Sequence, residues 1–371
     1  MPRRLDTDRW LFGATLALCL IGAVMVFSAS AVTAREQFGH ASVFILRQLV
    51  WLALGLGGMF WLMSVDYHKL RQPVVVCSVL CAVLMLLVAV FFIDKSHATH
   101  RWIHLGPIHI QPSELAKLAV ILYLAWFLEM RLRARARLGF NAHDFKHTLG
   151  PAMAPALVLM GLIILQPDLG TALEIFLIAL AILYVTGLSW RWLAVAGATA
   201  LPIIFLLIVR VPYRYDRILG FLNPGVDPQG RGFQLLQSLI AVGSGGFTGV
   251  GLMESKQKLF YLPEAHTDFI YAVLCEELGF IGGAIVLGLF AVYGWRGLRA
   301  AFETHDVFGR LLALGITAMV MSQALINLGV VLGMMPTKGI PLPFVSYGGS
   351  SLLVMLLATG VLLNISQQVR D

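Results

Sequence analysis

The chain has 371 residues, 58% of them hydrophobic and only 13% charged, with a formal net charge of +7 and a mean hydropathy of +0.82. A water-soluble domain with so little charge would expose large apolar patches, which excludes that class. Apolar runs of about 20 residues can each cross a bilayer, so the composition predicts a polytopic, all-α integral membrane protein.

Hydropathy along the chain predicts about ten transmembrane helices: 10–31, 43–63, 73–93, 112–128, 150–165, 169–186, 190–210, 267–295, 311–333 and 342–366. The fifth and sixth are short and joined by little more than Gln166-Pro167-Asp168, which predicts a tight helical hairpin. An even count puts both termini on one side. The loops and tails on that side hold Arg3, Arg4, Arg9, Lys69, Arg71, Lys146, Arg191, Arg296, Arg299, Arg310, Arg370 and the cluster Arg131, Arg133, Arg135 and Arg137. The short loops opposite hold only Arg35, Arg47, Lys95, Arg101 and Lys338. Both termini are therefore predicted in the cytoplasm. The positive charge then reports topology, and no nucleic-acid partner is implied.

The first span contains Ser28-Ala-Ser-Ala31, which looks like a signal-peptidase site, but its apolar core is too long for a signal peptide and further spans follow. It is read as a retained helix. Cys19, Cys77, Cys81 and Cys275 all fall in apolar segments and read as buried small hydrophobes rather than metal ligands. With no low-complexity linker or short repeat, 1–371 reads as a single membrane domain.

Between the third and fourth spans, Arg101–Ile110 alternates about Gly106-Pro107 and predicts a small β-hairpin. His97, His100, His104 and His109 crowd this loop without the spacing of a metal motif. Gln111-Pro-Ser-Glu114-Leu-Ala-Lys117 opens the fourth span. Glu114 and Lys117, three apart, share a helix face and can pair, either as a structural ion pair or as the lining of a polar cavity. Asp168 is placed to cap the sixth helix, and Glu174 lies about 240° around that helix from it. Gln323 and Asn327 form an i, i+4 pair suited to interhelical hydrogen bonds.

The long loop 211–266 is predicted to lie outside the cytoplasm. It carries Tyr213-Arg-Tyr-Asp-Arg217, a turn-rich stretch 223–232, and Phe233, Leu236, Leu239 and Ile240 at helical spacing. That spacing predicts an amphipathic helix lying in the membrane interface. Gly243–Gly251 lacks the Gly-Lys-Ser/Thr ending and the flanking strand of a phosphate-binding loop and predicts a flexible gate or close backbone packing. The segment 261–271 then sets His266 and Asp268 at the mouth of an apolar helix, with Glu264, Glu276 and Glu277 close by. Arg214, Arg217, Arg231, Lys256 and Lys258 lie in the same loop. Two readings of Asp268 stand: a first-turn carboxylate at a helix N-terminus, or a general base in a partly desolvated cleft whose cations hold a phosphate-bearing ligand.

The set Arg101–Pro107, Gln111–Lys117, Gln166–Thr171, Lys258–Ile270, Glu276–Gly279 and Pro336–Ser351 resembles, in order and across the whole chain, the SEDS family (shape, elongation, division, sporulation). Within it, Pro336-Thr-Lys-Gly339 and Lys258-Leu-Phe-Tyr261 resemble the division branch more than the elongation branch, though the long tails of many division members have no counterpart here. The resemblance implies a peptidoglycan glycosyltransferase of the bacterial inner membrane that polymerises lipid II for septal wall synthesis. It also implies a cognate class B penicillin-binding protein and other divisome proteins as partners. Asp268 matches the family's essential aspartate. As the base, it would deprotonate the acceptor GlcNAc 4-hydroxyl, which attacks the donor MurNAc anomeric carbon with inversion as undecaprenyl diphosphate leaves. Arg214, Arg217, Lys338 and Lys117 are the candidate cations for that diphosphate, with a divalent metal (Mg2+ or Mn2+) as a candidate helper. Glu114, Asp168, His266 and Ser346 fall in matched motifs and are assigned to the cavity. The alternatives are a lipid II flippase, an elongation-branch or sporulation-branch polymerase, or a scaffold that only recruits the transpeptidase.

Overall fold

The computed structural model describes residues 7–94, 100–105, 108–138 and 145–369. Arg3, Arg4, Lys95, His97, Arg370 and the Gly106-Pro107 turn lie outside them. The chain runs α1 (Arg9–Phe38), α2 (Val43–Ser64), α3 (Pro73–Ile93), β1 (Ile103–Leu105), β2 (Ile108–Ile110), α4 (Pro112–Leu138), α5 (Gly150–Leu165), α6 (Leu169–Val185), α7 (Trp190–Val209), α8 (Pro212–Leu222), α9 (Phe233–Ser244), α10 (Ile270–Glu303), α11 (Val307–Val331) and α12 (Gly349–Val369).

Among the described residues, eight helices are long and apolar enough to cross a membrane. The other two of the ten expected spans are α4, whose ends carry Glu114, Lys117, Glu129 and Arg131, and α6, which is an apolar helix of 17 residues. α11 and α12 form the centre, with α4, α6 and α10 packed around α11, α2 against α12, and α1 bridging α2 and α10. Every residue of α7 is at least partly exposed, and α2 and α3 also show apolar side chains outward. Such a surface is stable only against lipid or another apolar segment.

Several elements form as expected. β1 and β2 pair antiparallel, with His104 opposite His109. α5 ends at Leu165 and α6 begins at Leu169, so the hairpin turn is as short as predicted. α1 is one helix packed against α2 and α10.

Other elements differ. The tenth span starts its helix at Gly349 rather than 342, because 342–348 fold into a turn in which the Ser346 hydroxyl accepts from the Leu342 N–H (2.8 Å). Cys77 and Cys81 are exposed, since α3 sits at the rim; Cys19 and Cys275 are buried. The loop after α7 begins with a helix the hydropathy did not reveal, α8, with Pro212 in its first turn. α9 does form, but its inward face is Leu235, Ser238 and Ala241, docked on α10 and α11, while Leu239 and Ile240 point outward.

Candidate active site

The site is built where the 261–269 loop, α8, the α5–α6 turn and the 332–348 turn converge at one end of the bundle. Turns hold the first of these: the N–H groups of Thr267 and Phe269 both donate to the Glu264 carbonyl (3.2 and 3.3 Å). The helix begins only at Ile270, so Asp268 lies outside it. Phe269 is the N-cap residue, with no side-chain capping bond. The expectation that Asp268 stabilises a helix N-terminus is thus corrected. Its carboxylate instead faces the 338–340 segment: a Cβ added at Gly339 would stand 2.8 Å from Oδ2. Gly339 is what lets that backbone come so near.

Asn327 on α11 fastens the two segments together, donating to the carbonyls of Asp268 and Ile340, each at 2.7 Å. Its partner Gln323 donates to the Pro341 carbonyl (2.9 Å), so the predicted polar pair bonds across elements as expected. Asp268 is half-buried. Burial, with the Glu264 charge adding and the Arg217 charge opposing, pushes its carboxyl up to about 7. A base with that value is poised for proton transfer near neutral pH.

His266 is two residues away, but its ring packs between Phe44 (centroids 4.9 Å) and Tyr347 (5.6 Å), and its carbonyl accepts from the Tyr347 N–H (3.0 Å). Burial holds its imidazole below the usual range, favouring the neutral form. It shapes one wall of the site.

The cations divide sharply. Lys117 is buried and saturated: Nζ lies 3.0 Å from Glu114, 3.3 Å from Glu174 and 2.6 Å from the Gln323 side-chain oxygen. Lys258 is also buried, 2.8 Å from Glu277, and Arg231 pairs with Asp216 (3.0 Å). Arg214 bonds the Leu207 carbonyl at the end of α7 (3.1 Å). Arg217 reaches the Thr337 carbonyl at 3.4 Å and acts electrostatically on Asp268.

Lys338 is different. Its side chain lies over Gly170 in the first turn of α6, where a Cβ would collide with it, and its Nζ is buried with no hydrogen-bond partner among the described residues. Burial pulls its ammonium below the usual range, while Glu174 and Asp168 pull it back up. Asp168 caps α6 as expected, accepting from the Thr171 N–H (3.1 Å) and hydroxyl (2.8 Å), and Gln111 donates to it (3.2 Å). The turn is tied to the site by Arg101, which donates to the carbonyls of Gln166 (2.9 Å) and Pro167, and by Tyr213 of α8, whose hydroxyl donates to the Pro167 carbonyl (3.2 Å).

Asp268 is thus set beside Arg217 and the 338–340 backbone, Lys338 of that same segment lies over α6 within the fields of Asp168 and Glu174, and His266 packs alongside, whereas Glu114 and Lys117 form a separate buried pair. Ser346 is spent on its own turn, and Arg214 points towards α7. Glu174 was missed by spacing arguments: it sits on α6 and completes the Lys117 pair from across the bundle. Among the described residues, no three His, Cys, Asp or Glu side chains converge as a metal site.

The fold agrees with what is known of other chains. The profile of a family described as cell cycle protein, covering FtsW, RodA and SpoVE, matches residues 9–371. The chain belongs to this family, the SEDS family. Stage V sporulation protein E of Bacillus subtilis (strain 168) is 42% identical over 369 residues, covering 99% of each chain. A probable peptidoglycan glycosyltransferase FtsW of Trichlorobacter lovleyi is also 42% identical, over 98% of this chain and 94% of that one. A solved structure described as a peptidoglycan synthase complex that coordinates polymerisation and crosslinking aligns with a TM-score of 0.79 at 33% identity, over 99% of each chain. The crystal structure of Thermus thermophilus RodA aligns at 0.72 and 30% over all of both chains. This SEDS protein is a multi-pass membrane protein.

Proposed function

We propose that this SEDS protein polymerises lipid II with Asp268 as general base. In class it is a peptidoglycan glycosyltransferase, like its FtsW relatives. The observation that carries the residue assignment is a half-buried carboxylate, pushed up to about 7, that faces the backbone at Gly339, next in sequence to Lys338, a buried cation with no hydrogen-bond partner among the described residues. Asp268 takes the proton of the acceptor GlcNAc 4-hydroxyl, and that oxygen attacks the donor anomeric carbon from the opposite face to the diphosphate. The C1–O bond to diphosphate breaks with inversion, and Asp268 ends the step protonated. Lys338 and Arg217 meet the leaving diphosphate; a cation with no internal partner costs no rearrangement to recruit. Asp168 and Gln111 hold the α6 end beneath Lys338.

A resident divalent cation does not fit well here. Among the described residues, Glu264 is the one carboxylate acting on Asp268, a sparse donor set for Mg2+ or Mn2+, and no step is routed through a metal.

The positive-inside bias supports an orientation with this end outside the cytoplasm and both termini inside; in the bacterial inner membrane, lipid II would then present its sugars to this end. A class B penicillin-binding protein is the proposed partner, given the polymerising and crosslinking complex that the fold matches. A septal role with other divisome proteins rests on the FtsW relatives, while the equal identity to the sporulation protein makes a role in spore wall synthesis the competing assignment. The test is reconstitution of the chain with its partner and labelled lipid II. Glycan ladders support the polymerase. Headgroup translocation without ladders would replace it with the flippase.

A further inference from the structure

α10 is not one continuous rod. Gly279 takes φ 66° and ψ −165°, which separates a short stem, 270–278, from the long remainder of the helix. A residue with a Cβ adopts that conformation only under strain. The glycine-rich segment after α9 threads into this break. The N–H groups of Val250 and Gly251 donate to the carbonyls of Glu276 and Glu277 (3.0 and 3.1 Å). In return, the N–H groups of Phe280 and Ile281 donate to the carbonyls of Gly246 and Phe247 (3.0 and 3.3 Å). A Cβ at Gly249 would collide with the Glu277 carbonyl. The glycines serve close packing, one of the two expectations for them.

The two carboxylates at the end of the stem are then gripped from outside it. Glu276 accepts from the Ser255 hydroxyl and the Lys256 N–H (3.0 Å). Glu277 accepts from Ser28 of α1 at 2.7 Å and from the Lys258 ammonium at 2.8 Å, while Lys258 also donates to the Ser28 hydroxyl (3.2 Å). Lys258, Glu277 and Ser28 are all buried, and so is every stem residue from Ile270 to Glu277. Asp268 lies two residues beyond the other end of this stem. The nearest fastening on that side is Asn327, which holds its carbonyl and not its carboxylate.

We propose that Lys258, Glu277 and Ser28 form a clamp that positions the Asp268 carboxylate, making them positioning residues for the transfer reaction. This rests on Asp268 being the base. The break at Gly279 interrupts the helix, leaving Tyr271, whose hydroxyl donates to the Gly283 carbonyl (3.2 Å), as a side-chain link from the stem to the rest of α10, and the clamp at the stem's far end sets where it points. Releasing Lys258 lets the stem tilt, which moves the carboxylate relative to Gly339 and admits water around it. Glu264 on its own segment and Arg217 from α8 are the charged groups acting on Asp268.

The test compares Lys258→Met, Lys258→Arg and Ser28→Ala in the full chain, reconstituted with its transpeptidase partner and supplied with labelled lipid II. Rates are expressed per folded molecule, with Asp268→Asn run alongside. A displacement of about 1 Å can cost on the order of 100-fold in rate, so kcat for Lys258→Met should fall at least about tenfold while KM for lipid II stays within about twofold. The acid limb of its pH profile should move down towards the ordinary carboxylate range, and Lys258→Arg should restore both. A merely structural role would lower the folded yield and leave that limb in place. Should Lys258→Met fail to fold, Ser28→Ala, which keeps the ion pair, decides: it should lower kcat and shift the limb in the same direction. Wild-type kcat and limb in these variants, beside an inactive Asp268→Asn, would overturn the clamp alone. An active Asp268→Asn would overturn the catalytic reading beneath it.

Discussion

The buried Lys117 offers the sharpest stability prediction. The residue is 1% exposed and its ammonium lies between Glu114 and Glu174, while Glu114 Oε2 and Glu174 Oε1 have no further partner among the described residues. Lys117→Met therefore leaves two like charges in a desolvated interior. Breaking a buried pair from one side costs about 3–5 kcal/mol. At a few degrees per kcal/mol, that is a Tm loss of roughly 5–10 °C. Glu174→Gln should cost only about 1 kcal/mol, because Glu114 keeps the charge balanced and the amide oxygen can still accept from Nζ. The triple variant Lys117→Met/Glu114→Gln/Glu174→Gln, with no charge left to desolvate, should regain most of the loss. Thermal unfolding of the purified chain in detergent, followed by intrinsic fluorescence, reads all three. A Lys117→Met protein melting within about 1 °C of wild type would refute the reasoning, since the carboxylates would then have to be solvated or neutral already.

Other expectations follow from the same geometry. Polymerisation should rise as pH increases through about 7, because Asp268 must be ionised to accept a proton; a pH profile flat from about 5.5 to 8.5 would contradict this. Because folding holds that carboxyl above its ordinary value, ionising it costs stability as pH rises, so Asp268→Asn should raise Tm at about pH 8 and do little at about pH 5. An equal gain at both values would argue against a buried charge. Lys338→Ala removes an ammonium with no internal partner and should reduce turnover by about 10²–10³ without lowering Tm, as measured by glycan synthesis alongside unfolding. Gly249→Ala sets a Cβ against the Glu277 carbonyl at φ +85° and should lower folded yield sharply, read by size-exclusion of the detergent-solubilised protein.

Much of this was legible from residue order, and the failures have physical causes. Spans, the hairpin after α3 and the Asp168 cap are local matters, set by apolar length, a Gly-Pro turn and a carboxylate at a helix start. The pair Gln323 and Asn327 also followed from helical spacing. Glu174 could not be found that way, because it meets Lys117 from a different helix and a single-helix periodicity carries no information about neighbours. The same holds for Lys258 and Lys117, which look like available cations in the sequence and are consumed by buried carboxylates in the fold. The isolation of Lys338 is equally invisible without the tertiary structure. The helix-start reading of Asp268, one of the two left open, fails because apolar residues resume at Phe269 while the backbone is still turning there. α8 escaped notice because eleven residues of mixed polarity after a span read as loop; Pro212 was the one signal available.

The central claim is that Asp268 accepts the proton of the attacking hydroxyl. Its most direct test is glycan synthesis from labelled lipid II by Asp268→Asn, an isosteric change that keeps the loop, in a complex shown to be folded and bound to its partner. The account predicts that ladders disappear, with a rate at least about 10³-fold below wild type. Ladders formed within about tenfold of the wild-type rate would contradict it.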